Sequence, residues 1–196
     1  LDGGRRVRGW TLVGTAVWVC WPLATLSKEN GIILTALLAL VEATFFWRAS
    51  ALNLRRQLRG LFIVVLVVPV ILGAGLVFVY SEQLLNYTYR DFSLAERLMT
   101  QPRALSSYLL SGLVPGETML GFFHDDFAPS RDWFDPPSTA AALGLWCGAI
   151  AFVLWAISRK RYAMSAFGLG LFVIGHLVEG SLFPLELYFE HRNYLP

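Results

Sequence analysis

The chain has 196 residues, of which 56% are hydrophobic and only 15% charged, with a formal net charge of +2. An ordinary soluble domain carries about a quarter charged residues, so the composition argues against a soluble fold, and so small a positive excess argues against nucleic acid as a partner. A mean hydropathy of +0.54 points the same way.

Five apolar runs follow one another, at 9–27, 31–47, 61–80, 139–158 and 162–184. The first, third and fourth hold no charged residue. Each run is close to the ~20 residues a helix needs to cross a bilayer core. They predict an all-α, polytopic transmembrane helix bundle of about five spans, forming a single transmembrane domain over 1–196. Cys20 and Cys147 lie inside two of these runs and read as small buried hydrophobes.

The basic residues give the spans a direction. Arg5, Arg6 and Arg8 precede the first run; Arg48, Arg55, Arg56 and Arg59 separate the second from the third; Arg159, Lys160 and Arg161 join the fourth to the fifth. Cytoplasmic loops are enriched in Lys and Arg, so these three segments are expected inside. The opposite side then receives the tight turn 27–30, the long segment 81–138 and the tail 185–196. Glu42, near the inner end of the second run, is expected to pair with the cytoplasmic arginines.

Within the outer loop 81–138, Ser93 and Glu96 have the spacing of a capping box, and Leu94, Leu98, Leu105 and Leu109 recur near helical spacing. Pro102 is expected to split this stretch into two short helices lying in the membrane interface. The stretch 121–138 has no periodicity and reads as an ordered loop. Asn86-Tyr87-Thr88 matches a glycosylation acceptor, a triplet that also arises by chance. No repeat, Gly-rich phosphate loop, nucleophile elbow or Cys/His metal spacing is present.

Four polar groupings are candidates for chemistry. In the first, Lys28, Glu29 and Asn30 form a charged turn between two spans, where Lys28 either meets a lipid phosphate or is merely solvated. In the second, His176 and Glu179 stand three apart in the fifth run, about 21 and 26 Å along a helix begun at Tyr162. They read as a site in the outer leaflet or as an interhelical hydrogen bond. The third is the tail with Glu186, Glu190, His191, Arg192 and Tyr194, in which the planar fork of Arg192 can bind two phosphate oxygens at once. The alternative there is an interfacial anchor. In the fourth, His124, Asp125 and Asp126 are either a cation or general-base site or solvated turn residues.

Four stretches, 26–32, 97–103, 121–127 and 190–196, resemble in order those of bacterial membrane proteins that carry tetratricopeptide repeats. These are in turn similar to the eukaryotic transmembrane-and-tetratricopeptide O-mannosyltransferases, whose Lys-Glu-Gln-Gly turn corresponds to Lys28 to Gly31 and whose Tyr-Leu-Pro corresponds to Tyr194 to Pro196. Asn30 stands where the eukaryotic turn has Gln. The resemblance implies a GT-C type glycosyltransferase in the bacterial inner membrane with a periplasmic active face. Its donor is a polyprenyl-phosphate sugar, its acceptor a protein or glycan, and its surroundings membrane lipids; it calls for no cofactor and no metal. Lys28, His191 and Arg192 then lie near the donor phosphate. The catalytic base, an acidic residue of the family's first outer loop, is expected outside this sequence, as are further N-terminal spans and C-terminal repeats. Two other readings of the same residues are a noncatalytic scaffold for envelope assembly and a transporter using His176 and Glu179 as a proton relay.

Overall fold

The computed structural model describes residues 3–47, 50–114, 127–178 and 180–188. The candidates His124, Asp125, Asp126, Glu179, Glu190, His191, Arg192 and Tyr194 lie outside the described residues, as does the side chain of Glu29. The described chain is helical, and an isolated bridge between Asp132 and Asp135 is its only extended pairing. It divides into two compact units, Leu1–Ala74 and Gly75–Pro196.

The first unit begins with α1 (Gly3–Thr15), a π turn (Ala16–Cys20) and α2 (Trp21–Ser27), which run on as one helix because Thr15, Cys20 and Trp21 all keep right-handed helical backbone. Pro22 has no N–H and its ring crowds the carbonyl four residues earlier, so a widened turn just ahead of it relieves the clash. The helix stops where Lys28 turns extended (φ −153°, ψ 137°), and a 3-10 turn (Glu29–Ile33) leads into α3 (Leu34–Val41) and a second π turn (Glu42–Phe46). Glu42 reaches the basic loop through Ser50, whose hydroxyl donates to Glu42 Oε1 at 3.3 Å and whose carbonyl accepts from Arg55 Nε at 2.8 Å. Arg59 lies over the Trp47 ring at 5.4 Å.

Next comes α4 (Leu52–Val79), a 28-residue helix in which Val65 alone is buried. Leu72, Leu76 and Phe78 are among its exposed large side chains, an arrangement that costs far too much in water when it runs along a whole helix. The segments Gly4–Ser27, Leu52–Val79 and Ser138–Arg159 are each long and apolar enough to cross a membrane. Together they suggest a membrane protein. Cys20 and Cys147, expected buried, are exposed on two of these helices among other apolar side chains, because burial inside the protein is not what an apolar outer face requires.

The second unit holds α5 (Ser81–Leu84), α6 (Leu94–Leu113), α7 (Ser138–Arg159) and α8 (Ala163–Gly175). The capping box is present as expected: Glu96 N–H donates to Ser93 Oγ at 3.3 Å and Ser93 N–H to Glu96 Oε2 at 2.7 Å. Pro102 does not split the segment, which is one 20-residue helix with Pro102 inside it. The Trp146 indole of α7 packs against this turn, donating to Pro102 O and to Ser106 Oγ, each at 3.0 Å. The fifth apolar run is also shorter as a helix than expected, because α8 ends at Gly175 and a chain of turns takes over at His176. Its 13 residues span about 20 Å, short of the ~30 Å hydrocarbon core. Lys160 and Tyr162, both in the left-handed region (φ 56° and 54°), make the sharp turn between α7 and α8.

Candidate functional site

The core of the second unit grows from one face of α6. Arg97, Thr100, Gln101, Ala104 and Tyr108 recur at helical spacing and are all buried. They meet the non-helical chain that follows α8. Arg97 is fully buried and donates through Nε to Ser181 O at 3.1 Å and through Nη1 to Leu185 O and, at 3.2 Å, to Glu186 O. Gln101 Nε2 adds a 3.5 Å contact with Leu187 O, Tyr87 OH donates to Leu182 O at 2.7 Å and Arg90 Nε to Pro184 O at 2.8 Å. A helix and its leading turns thus hold a strap of irregular backbone by its carbonyls, which have no ladder of their own to satisfy them. Burial raises the Tyr87 hydroxyl above its ordinary pKa, against the pull of Arg97 and Arg90.

Next to the strap, rings pack against one another in an unbroken series. Phe127 lies 5.3 Å from Tyr188, Tyr188 4.6 Å from Tyr108, Tyr108 5.4 Å from His176, His176 4.5 Å from Phe172, and Phe172 5.3 Å from Trp146. His176 is therefore an interior residue, 4% exposed, at the end of α8. Its Nδ1 is 2.9 Å from Phe172 O, and because a carbonyl can only accept, Nδ1 carries the hydrogen. The expected sharing of a helical face by His176 and Glu179 lies outside the described residues, which do not include Glu179.

Beside the stack, α6 and α7 enclose an open hollow of about 360 Å3. From α6 it is lined by Arg103, Ser106, Ser107 and Leu110; from α7 by Ser138, Ala141, Ala142 and Leu145. Each set has the spacing i, i+3, i+4, i+7, one stripe of one helix face. The helices meet in order, since Thr100 and Arg103 reach the Ser130 corner beside Thr139 while Ser106 meets Trp146 further along. The hollow is accordingly polar at the Arg103 and Ser138 end and apolar at the Leu110 and Leu145 end. Arg103 donates through Nη1 to Ala128 O at 2.9 Å and Ser130 Oγ at 3.1 Å, and its guanidinium lies 5.0 Å over the Phe127 ring. Partial burial lowers its pKa from the usual arginine value, without threatening its charge near neutrality.

Of the residues singled out from the sequence, Lys28 and Asn30 belong to the first unit and His176 to the second. Lys28 is exposed, and its N–H caps α2 by donating to Ala24 O at 3.0 Å. Asn30 is buried in the turn, 8% exposed. Arg97 and Arg103, two of the cations that organise the second unit, are not among the sequence candidates. The amphipathic pattern of α6 places leucines on its buried side and leaves its arginines to solvent; the signal available was that both fall inside the stretch 97–103 already singled out by resemblance. Among the described residues no group of three His, Cys, Asp or Glu could hold a metal ion. No family model, curated protein or solved structure matches this chain.

Proposed function

We propose that this chain is the membrane portion of a GT-C type glycosyltransferase, with about five spans, that passes sugar from a polyprenyl-phosphate carrier to a protein or glycan on the periplasmic face of the bacterial inner membrane. The observation that carries this reading is the place of Lys28. A helix long and apolar enough to cross a membrane ends at Ser27, and the next residue, whose backbone is held in a tight turn, carries an exposed ammonium. A lipid-linked phosphate bears its charge at that depth, at the edge of a low-dielectric slab where a fixed cation counts for most.

In the proposed step the acceptor hydroxyl oxygen attacks the anomeric carbon of the sugar as the bond from that carbon to the phosphate oxygen breaks. The electron pair leaves with the polyprenyl phosphate, and a carboxylate from outside this sequence takes the hydroxyl proton. Lys28 stabilises the charge that grows on the departing phosphate, and the resemblance gives His191 and Arg192 the same kind of role. The test is sugar transfer by the complete protein in liposomes holding a polyprenyl-phosphate sugar. Removal of one charge-stabilising donor costs about 100- to 1,000-fold in such sites, so Lys28→Ala and Arg192→Ala should each lose transfer to that extent while still inserting. Full transfer by both variants removes these residues from the mechanism and leaves a scaffold or a transporter as the better reading.

A further inference from the structure

We propose that the hollow between α6 and α7 is a binding groove for one anionic phospholipid, with the phosphate at the Arg103 end and the first methylenes of a chain along Leu110 and Leu145. This goes beyond the transfer reaction and does not rest on it, since no residue of the groove takes part in the proposed step.

Charge complementarity comes first. Among the described residues, Arg103 is the only charged side chain lining the groove, and no carboxylate shares it. Its two bonds to Ala128 O and Ser130 Oγ both leave from Nη1. Among the described residues, the Nε and Nη2 donors of Arg103 and the hydroxyls of Ser107 and Ser138 make no hydrogen bond, although all three residues line the same hollow. Ser106 is different, since its hydroxyl already donates to Pro102 O at 2.9 Å and accepts from Trp146. A phosphate with several acceptor oxygens matches that set of unused donors. Partial burial of Arg103 makes an anionic partner more favourable than water alone.

The gradient in the groove favours a lipid over a free anion. Ser138 is the first residue of α7, one of the helices long enough to cross a membrane, and Leu145 lies two turns further along it. Leu110 and Leu145 are both 55% exposed, so none of the described residues covers the apolar end of the groove, and a hydrocarbon chain would supply that cover. Polar at the mouth of a span and apolar below it is the profile of a single amphiphile standing in a leaflet.

The experiment uses the full chain purified in a neutral detergent, with thermal stability and native mass spectrometry read against added phosphatidylglycerol, phosphatidylcholine or inorganic phosphate. Phosphatidylglycerol is expected to bind at least tenfold more tightly than phosphatidylcholine, with inorganic phosphate giving no shift. Arg103→Gln keeps an amide donor for Ala128 and Ser130 but removes the charge, and should weaken phosphatidylglycerol about tenfold or more. Ala141 is exposed, so Ala141→Trp fills the groove without disturbing those bonds and should abolish the preference even if Arg103→Gln fails to fold. Undiminished phosphatidylglycerol binding by Ala141→Trp, or inorganic phosphate matching the lipid, overturns the proposal.

Discussion

Gly31 lies so close against Ala24 that a Cβ on it would come within 2.4 Å of the Ala24 carbonyl carbon and oxygen and within 2.6 Å of the Thr25 nitrogen. These are backbone atoms that no rotamer change can move aside. The approach is what lets the chain reverse directly after Lys28, whose carbonyl accepts from Gly31 N–H at 2.8 Å. Gly31→Ala should therefore force the two helical segments apart and cost about 1–3 kcal/mol or more, the usual range for overpacking. A thermal melt of the purified variant checks it, and an unchanged midpoint would show that the turn is looser than this geometry.

Arg97 should be the least replaceable side chain in the second unit. It is fully buried and ties three carbonyls of the strap at 181–186 to α6. Hydrogen bonds to charged groups contribute about 1.5–3 kcal/mol each, and buried acceptors left without donors cost further. Arg97→Met is expected to destabilise by at least ~3 kcal/mol and to raise hydrogen exchange across 181–188 far more than across α7. Equal exchange in both regions would mean that the strap is held by something else.

The Ser93 and Glu96 pair gives a pH dependence. The Ser93 backbone and hydroxyl both hydrogen-bond the Glu96 carboxylate and lower its pKa from the ordinary value. A carboxylate depressed in the folded state stabilises the fold above its unfolded pKa of about 4.3, and that contribution disappears as the pH falls through the lowered folded value. Because Glu96 is only partly buried the effect is small. Ser93→Ala should cost about 1 kcal/mol near neutral pH, and Glu96→Gln should flatten the acid limb of α6 unfolding followed by circular dichroism. An acid limb identical to wild type in Glu96→Gln would assign it to another group.

These cases also show what the sequence could and could not reveal. The capping box was legible because its partners stand three residues apart and the signal is local. Long apolar runs were legible as well, since a window of composition is enough to find a helix of membrane length. Pro102 misled because a proline weakens a helix without always ending it, and the partner of this turn, Trp146, stands more than forty residues away. The end of α8 was hidden because Leu177 and Val178 continue the apolar run after the helix has stopped. Arg97 escaped notice for the same kind of reason as Pro102: its partners are carbonyls more than eighty residues further on, and main-chain acceptors carry no sequence signal.

The account stands on Lys28 lying at the outer boundary of the membrane. Single-cysteine labelling tests this most directly, with Cys20 and Cys147 replaced by Ser and either Lys28→Cys or Lys160→Cys introduced into the complete protein in intact cells. A membrane-impermeant maleimide should label the cysteine at position 28 in intact cells and the one at position 160 only after the membrane is opened. The reverse pattern would place the Lys28 turn in the cytoplasm, out of reach of a periplasmic lipid-linked sugar, and would contradict the proposed function.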